Sequence, residues 1–325
     1  MKPIIIALFN NKGGVGQTTV VYHLAHIFPR IGYPVLAVDL DPQANLTEAF
    51  FDEETIAERL ENPKSGETIY SCIEPIMEGT GDIQTPQPGK VVDGLFLLSG
   101  ALQLSLFEDN LSDAWPRSYE GNMSALRATT AFYRIILLGA QSCKAKIVLV
   151  DVGPNLGAIN RATILSLDYL VFPLEVDLFS LQGLRNLGPK IRAWRENWQI
   201  IRSKYPAPSI EIPSGDMNPI GYVVLQHAMR LDRPVLSYNR WLERIPKEYR
   251  KSILNISEQE IESPDPYCLA SLRHYRSLMP MAHEVHKPVF DLQPADGAIG
   301  GHVHLVKTAG EEFRTLAETI LKKIQ

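Results

Sequence analysis

Phe9-Asn10-Asn11-Lys12-Gly13-Gly14-Val15-Gly16-Gln17-Thr18-Thr19 follows the apolar run Ile4 to Phe9 and precedes Val20 to Phe28. The first run reads as a strand buried on both faces, the second as a helix. Strand, glycine-rich turn and helix in that order aim a row of backbone N–H groups and a helix N-terminus at one point, where a polyphosphate is the natural ligand. The general pattern for such a loop has a lysine before the first threonine, reaching the β- and γ-phosphates, and here Gln17 stands in that place. Lys12 sits directly before the glycine pair, where the general pattern requires no lysine.

Two more apolar runs end in acids. Val35-Leu36-Ala37-Val38-Asp39-Leu40-Asp41-Pro42-Gln43-Ala44-Asn45 closes on two carboxylates, a proline and two amides, and Lys146-Ile147-Val148-Leu149-Val150-Asp151-Val152-Gly153-Pro154-Asn155-Leu156-Gly157 on one carboxylate. In open α/β sheets ligands bind at the carboxyl ends of strands, which brings these groups beside the loop. Magnesium keeps several waters, so one loop hydroxyl and one or two acids suffice to hold it, and Thr18 and Asp151 suit those roles.

The spelling Lys-Gly-Gly-Val-Gly-X-Thr-Thr over 12–19 resembles the deviant Walker A loop of the ParA/MinD family of P-loop ATPases. Residues 35–45 are similar to that family's Asp-X-Asp-Pro-Gln-Gly-Asn motif, with Ala44 in place of glycine, and 146–157 to its next strand and turn, with Gly153 where most members carry a second proline. The resemblance implies a nucleotide site over Lys12, Gly13, Gly14, Val15, Gly16, Gln17, Thr18 and Thr19, with ATP and magnesium as ligands. It gives catalytic roles to Lys12, which crosses a dimer interface to the partner's nucleotide, and to Asp41, which orients or activates the attacking water. It implies Thr18, Asp41 and Asp151 around the metal, and Asp39 nearer the loop and its cation. Asp168 to Asp177 with Leu181 to Leu184 resembles a family strand and long helix that build the sheet and dimer face. Weaker likenesses lie at 219–225, leading to the base-binding side, and at Lys287-Pro288-Val289; the stretch from about 51 to 140 resembles the family poorly.

With 325 residues and 45% apolar content the chain can bury a large core. No stretch approaches the roughly 20 apolar residues of a membrane span. Nor does Met1-Lys2-Pro3 leave room for a cleavable signal before the first strand. The expectation is a cytoplasmic protein, and a nucleoid-associated one if it binds DNA. Cys72, Cys143 and Cys268 are scattered and odd in number, which implies no disulfide framework and weighs against a cysteine-held cluster. His274, His283, His286, His302 and His304 lack metal-site spacing and read as surface or packing residues.

A net charge of −5 argues against nucleic-acid binding by overall attraction, but not against a local basic surface. Arg230, Arg233, Arg240, Arg244, Lys247, Arg250 and Lys251 fall close together, interleaved with Trp241 and Tyr249. By resemblance, such a segment contacts DNA phosphates without sequence preference. Arg185, Lys190, Arg192 and Arg195 form a second basic group on the preceding helix. A mixed-charge run is also an ordinary solvated face.

Periodicity predicts strands near 3–9, 34–39, 94–98, 146–151, 168–173 and 219–225, and helices near 17–30, 123–142, 157–166, 181–203, 274–286 and 305–323. The helix over 181–203 is expected to kink or restart at Gly188-Pro189. The alternation implies a mostly parallel twisted α/β sheet with helices on both faces, in one domain spanning 1–325 with insertions and loops over about 51–122. The last helix should pack Ala309, Phe313, Leu316, Ala317, Ile320 and Leu321 on the sheet. A MinD-like protein would need a further basic amphipathic helix past this one to lie on a membrane, and membrane binding is therefore not expected.

Gln17 keeps a donor but removes a positive charge aimed at the phosphates. Charge-assisted hydrogen bonds contribute roughly 1.5 to 3 kcal/mol, equivalent to about 10- to 100-fold in binding or rate, so weak or absent ATP hydrolysis is expected. Two explanations compete, an engineered substitution and a natural pseudo-ATPase, and the presence of Lys12, Thr18, Asp41 and Asp151 favours the first. The resemblance implies an ATPase that dimerises around ATP, engages nonspecific DNA and a hydrolysis-stimulating partner protein, and segregates or positions DNA or other cargo. The alternatives are a nucleotide-gated scaffold that recruits protein without DNA, and a ligase of the dethiobiotin-synthetase type, against which Lys12 argues.

Overall fold

In the computed structural model, which describes residues 2–61, 65–226, 235–256, 264–275 and 277–325, eight strands form one sheet. They are β1 (Ile4–Leu8), β2 (Val35–Asp39), β3 (Gly89–Val92), β4 (Leu95–Leu98), β5 (Ile147–Asp151), β6 (Tyr169–Glu175), β7 (Asn218–Leu225) and β8 (Cys268–Leu272). The helices are α1 (Gln17–Arg30), α2 (Asn45–Phe50), α3 (Glu53–Glu61), α4 (Ile69–Met77), α5 (Phe107–Tyr119), α6 (Met123–Thr129), α7 (Ala131–Ser142), α8 (Ala158–Leu165), α9 (Leu178–Ser203), α10 (Val235–Leu242), α11 (Ile245–Tyr249), α12 (Leu278–Glu284) and α13 (Gly301–Ile324). The strand order is β3-β4-β2-β5-β1-β6-β7-β8, and every neighbouring pair is parallel except the β3–β4 hairpin.

The continuous apolar strands are those covered on both faces. Ile5 and Ala7 of β1 join the core on one side of the sheet, while Ile6 and Leu8 join the core on the other. Leu36 and Val38 against Val35 and Ala37 in β2 alternate likewise, as a period of two requires. Residues of α4 to α9 fill the first side, and residues of α1 and α13 the second. The predicted face of α13, from Ala309 to Leu321, is buried.

The structure corrects four expectations. Residues 51–122 hold α3, α4, the β3–β4 hairpin and α5 in addition to loops, with α4 capped by a reciprocal Thr68/Ser71 box. The helix expected over 123–142 is two, separated at Thr130. Residues 178–203 form one helix through Gly188-Pro189, because packing of Leu184, Leu187, Ile191 and Trp194 on both sides of the pair overrides local propensity. Gly188 is there for a close approach: a Cβ would lie 1.8 Å from the Ser252 carbonyl oxygen. Strand β8, at a sheet edge and only partly buried, carries no apolar run by which to read it. Among the described residues no helix is long and apolar enough to cross a membrane.

His23 locks α1 to the segment before α13. Its ring stacks on Phe313 at 4.6 Å, Nδ1–H donates to the Thr19 carbonyl (2.6 Å) and Nε2 accepts the Val289 N–H (3.0 Å). Burial pushes its pKa down to about 4, and that of buried His26 to about 3. Below the ordinary value of 6.5 the unfolded chain takes up protons that the folded chain refuses, so these groups make stability fall as pH drops from 6.5 through 4. Asp39 and Asp151, raised by burial, act in the opposite sense, so the test is differential. Between about pH 7 and about pH 5 the His23→Gln variant should lose about 2 kcal/mol less than the parent by urea titration. Parallel losses would mean that His23 is not held neutral.

Candidate phosphate-binding site

Leaving β1, the chain turns through Gly14 (φ 74°) and Gly16 (φ 76°), the latter at the N-cap of α1. Side chains in this left-handed region are disfavoured by about 1–2 kcal/mol, which accounts for glycine at both positions. Residues Lys12 to Thr19 line a cavity of about 440 Å³, opposite Asp41, Asn45 and Glu48 on one wall and His283 and Lys287 on another. Every residue expected at the nucleotide site is therefore at this cavity.

Thr18 Oγ1 donates to Asp151 Oδ2 at 2.7 Å, joining the first turn of α1 to the end of β5. Gln17 is buried: its Oε1 accepts the Asn10 N–H (3.2 Å), and its amide donates to the Val152 carbonyl (2.5 Å) and to Asp151 Oδ1 (3.3 Å). The side chain that replaces the usual lysine is thus tied to the loop and to β5.

Strands β2 and β5 pair in register so that Asp39 lies opposite Asp151. Both are fully buried, and burial raises both carboxyl pKa values, with the neighbouring acids adding to the shift. Asp39 is held by Thr47: its Oδ2 accepts the Thr47 N–H (2.9 Å) and the Thr47 hydroxyl (2.7 Å). Asp41 lines the cavity and Asp39 does not. Burial raises the Asp41 pKa, and the Gln43 N–H at 3.0 Å from Oδ1 opposes the shift.

Lys12 points elsewhere. Its amine pairs with Glu175 and, at 2.6 Å, with Asp177 of the same chain. Burial lowers its pKa, but the two carboxylates outweigh this and the net shift is upward. Asp177 also caps α9 through the Ser180 N–H (2.8 Å), and Asn10 bridges the loop to β6 through the Pro173 carbonyl (2.7 Å). Glu175 and Asp177, read from the sequence as part of a strand end only, are thus the in-chain partners of the loop lysine.

The basic segment divides. Arg240 and Arg244 are exposed and flank the Trp241 ring at 5.7 and 5.1 Å, and Lys247 and Lys251 are exposed as well. Arg250 is turned inward, paired with Asp265 at 2.7 Å, and Tyr249 is buried. Arg230 and Arg233 lie outside the described residues. In the second group, Arg185 pairs with Glu248 (2.7 Å), Arg192 donates to the Ser252 carbonyl (2.8 Å) and Arg195 to the Met217 carbonyl (2.9 Å), so all three serve the fold.

A family model described as an AAA domain matches residues 3–202. The sporulation initiation inhibitor protein Soj of Bacillus subtilis is 28% identical over 188 residues, covering 58% of this chain and 64% of that protein. A probable plasmid-partitioning protein ParA of Thermus thermophilus is 27% identical over 242 residues, covering 74% and 62%. The chain belongs to the ParA/MinD family. It spans less than two-thirds of the length of these curated relatives. The fold matches the structure of a putative plasmid partition protein from Borrelia burgdorferi bound to AMPPNP, with a TM-score of 0.61, 19% identity and coverage of 99% of this chain and 100% of that one.

Departures from the ParA/MinD pattern have a local reading. Ala44, standing for glycine, takes the left-handed conformation (φ 56°) at the N-cap of α2, and so bears the strain a glycine would avoid. A Cβ at Gly153 would lie 3.0 Å from Asp41 Oδ1, so the small residue keeps this turn close to the Asp41 carboxylate.

Thr47 was not singled out in the sequence. Its hydroxyl donates to Asp39 and accepts the Gly100 N–H (2.9 Å), clamping three segments. Thr47→Val would strand a buried donor and deprive a buried acid, a loss of about 1–3 kcal/mol, and Thr47→Ser should restore most of it in denaturant titration. Equal stability of the two variants would remove the clamp.

Proposed function

We propose that the chain is a ParA-type ATPase, one domain over 1–325, that binds Mg–ATP in the loop cavity and closes into a dimer around two nucleotides. The observation that carries this reading is the Thr18–Asp151 contact beneath the glycine loop, with Asp41 on the facing wall. Thr18, Asp151 and Asp41 offer hard oxygen donors and no ion pair among the described residues, a set that fits magnesium. Bound there, magnesium would offset charge on the β- and γ-phosphates.

In this proposal the loop N–H groups and the N-terminus of α1 bind the phosphates. Asp41, with its pKa raised by burial, orients the water and accepts its proton. Lys12 leaves Glu175 and Asp177 to reach the partner's phosphates. Gln17 is neutral where the loop's usual cation would meet the charge of phosphoryl transfer, so hydrolysis is slow. Exposed Arg240, Arg244, Lys247 and Lys251 support salt-sensitive contact with nonspecific DNA, which would place the protein on the nucleoid. A partner protein that stimulates hydrolysis would complete a cycle serving cargo positioning or DNA partition, and plasmid partition is the role named for the Thermus and Borrelia proteins above. Gln17 also favours a second reading, a nucleotide-gated scaffold that recruits protein without DNA.

Light scattering should give dimer mass with Mg–ATP and monomer mass without it, for the chain and for Gln17→Lys alike. Turnover should be about 10- to 100-fold faster in Gln17→Lys. Equal turnover would remove the role given to Gln17, and monomer mass at saturating Mg–ATP would remove the sandwich. Random duplex should shift with the ATP form at low salt and fail to shift after Arg240→Glu with Arg244→Glu. No shift at any salt would leave the scaffold.

A further inference from the structure

A second hollow, roomier than the loop cavity, lies at the other end of the sheet. A trough of about 1000 Å³ is lined by residues that precede β1, β5 and β7, by α7, and by Ile83. Strand β1 separates it from the glycine loop, and at roughly 3.3 Å per residue its five residues put the two sites about 17 Å apart. The floor is apolar: Ile83, Leu137 and Ile210 are half-buried against the core, and Leu138 is 39% exposed.

The rim is cationic in a chain whose net charge is −5. Two of its cations are engaged, Lys2 with Asp168 (3.2 Å) and Arg134 with Asp82 (2.8 Å). Among the described residues Lys144 and Lys146 have no carboxylate partner; the Lys146 amine lies 5.6 Å from the Tyr33 ring, and Glu211 is the acid on the rim. Lys144 adopts a left-handed conformation (φ 55°) just past α7, where glycine or asparagine is the ordinary choice. The chain thus presents a lysine at some conformational cost.

We propose that this trough is a docking site for an acidic amphipathic segment of a partner protein, its apolar ridge on Leu137, Leu138, Ile83 and Ile210 and its carboxylates on Lys144 and Lys146. An open trough leaves one side of its occupant in water, which suits a segment with a polar outer face. A helix about 10 Å across fills a volume of this order in roughly two turns. Charge complementarity selects an acidic occupant over a basic one. This inference does not rest on the nucleotide reading, since the site is at the opposite sheet edge.

The test uses the full chain and a fluorescein-labelled peptide of about four helical turns, with leucines at helical spacing and glutamates elsewhere, followed by anisotropy. Saturable binding is expected, weaker at high salt and at least about tenfold weaker for Lys144→Glu with Lys146→Glu, for Leu138→Asp, and for the peptide with lysine replacing glutamate. Thermal unfolding and Mg–ATP binding should be unchanged in these variants, which separates docking from folding and from the nucleotide site. The proposal is overturned if the acidic peptide does not bind, if both peptides bind alike, or if the variants bind like the parent. It is also overturned if phosphatidylglycerol vesicles, and not the peptide, are bound and released by the double charge reversal. Nucleotide-independent self-association abolished by Leu138→Asp would likewise give the trough to a second copy.

Discussion

Three carboxylates at the ends of two adjacent strands, with no basic side chain paired to them among the described residues, constrain everything at the carboxyl edge of this sheet. The register of β2 on β5 sets Asp39 against Asp151, and burial makes their ionisation unfavourable. Hydrogen bonds from Thr47, Thr18 and Gln17 relieve part of that burden. Beside the same acids stands a loop whose N–H groups and helix end favour an anion. A bare polyphosphate would meet the loop's attraction and the acids' repulsion together, whereas one carrying a divalent cation satisfies both. On the proposed function, the arrangement favours a metal-bound phosphate over a free one.

Lys12 is the loop's own cation, and it is held by Glu175 and Asp177. Those carboxylates sit where β6 hands over to α9, and Asp177 is also the N-cap of that helix. With 26 residues at about 1.5 Å each, α9 is about 39 Å long. Along it, Arg185 holds Glu248 and Arg192 holds the Ser252 and Ile253 carbonyls, so one rigid element joins the loop lysine's partners to the segment bearing the exposed basic residues. Competition between in-chain carboxylates and phosphate for one amine is the physical content of the proposed switch.

Much of the centre of the fold was legible because burial on both faces writes itself as unbroken apolar runs: β1, β2 and β5 stand within a residue of their expected positions. The glycine loop and the strand-end acids were legible because their chemistry is local in sequence. What escaped is long-range or disguised. The partners of Lys12 lie 163 and 165 residues away, and no spacing rule joins them. Pro75 and Pro116 lie inside α4 and α5, helices that tertiary packing supports against local propensity, although Phe107, Leu111, Ala114 and Ser118 already repeat at helical spacing. A count of basic residues could not show that Arg250 faces Asp265 while Arg240 and Arg244 face solvent, because that depends on how three successive short segments pack.

A crystal structure of the chain with magnesium and a nonhydrolysable ATP analogue tests the account most directly. It should hold two subunits face to face, the triphosphate on the N–H groups of Gly13 to Thr19, the metal at Thr18, and the Lys12 amine moved from Glu175 and Asp177 to the neighbouring subunit's phosphates. Analogue bound to a lone subunit, with Lys12 still on its own two carboxylates, would contradict it.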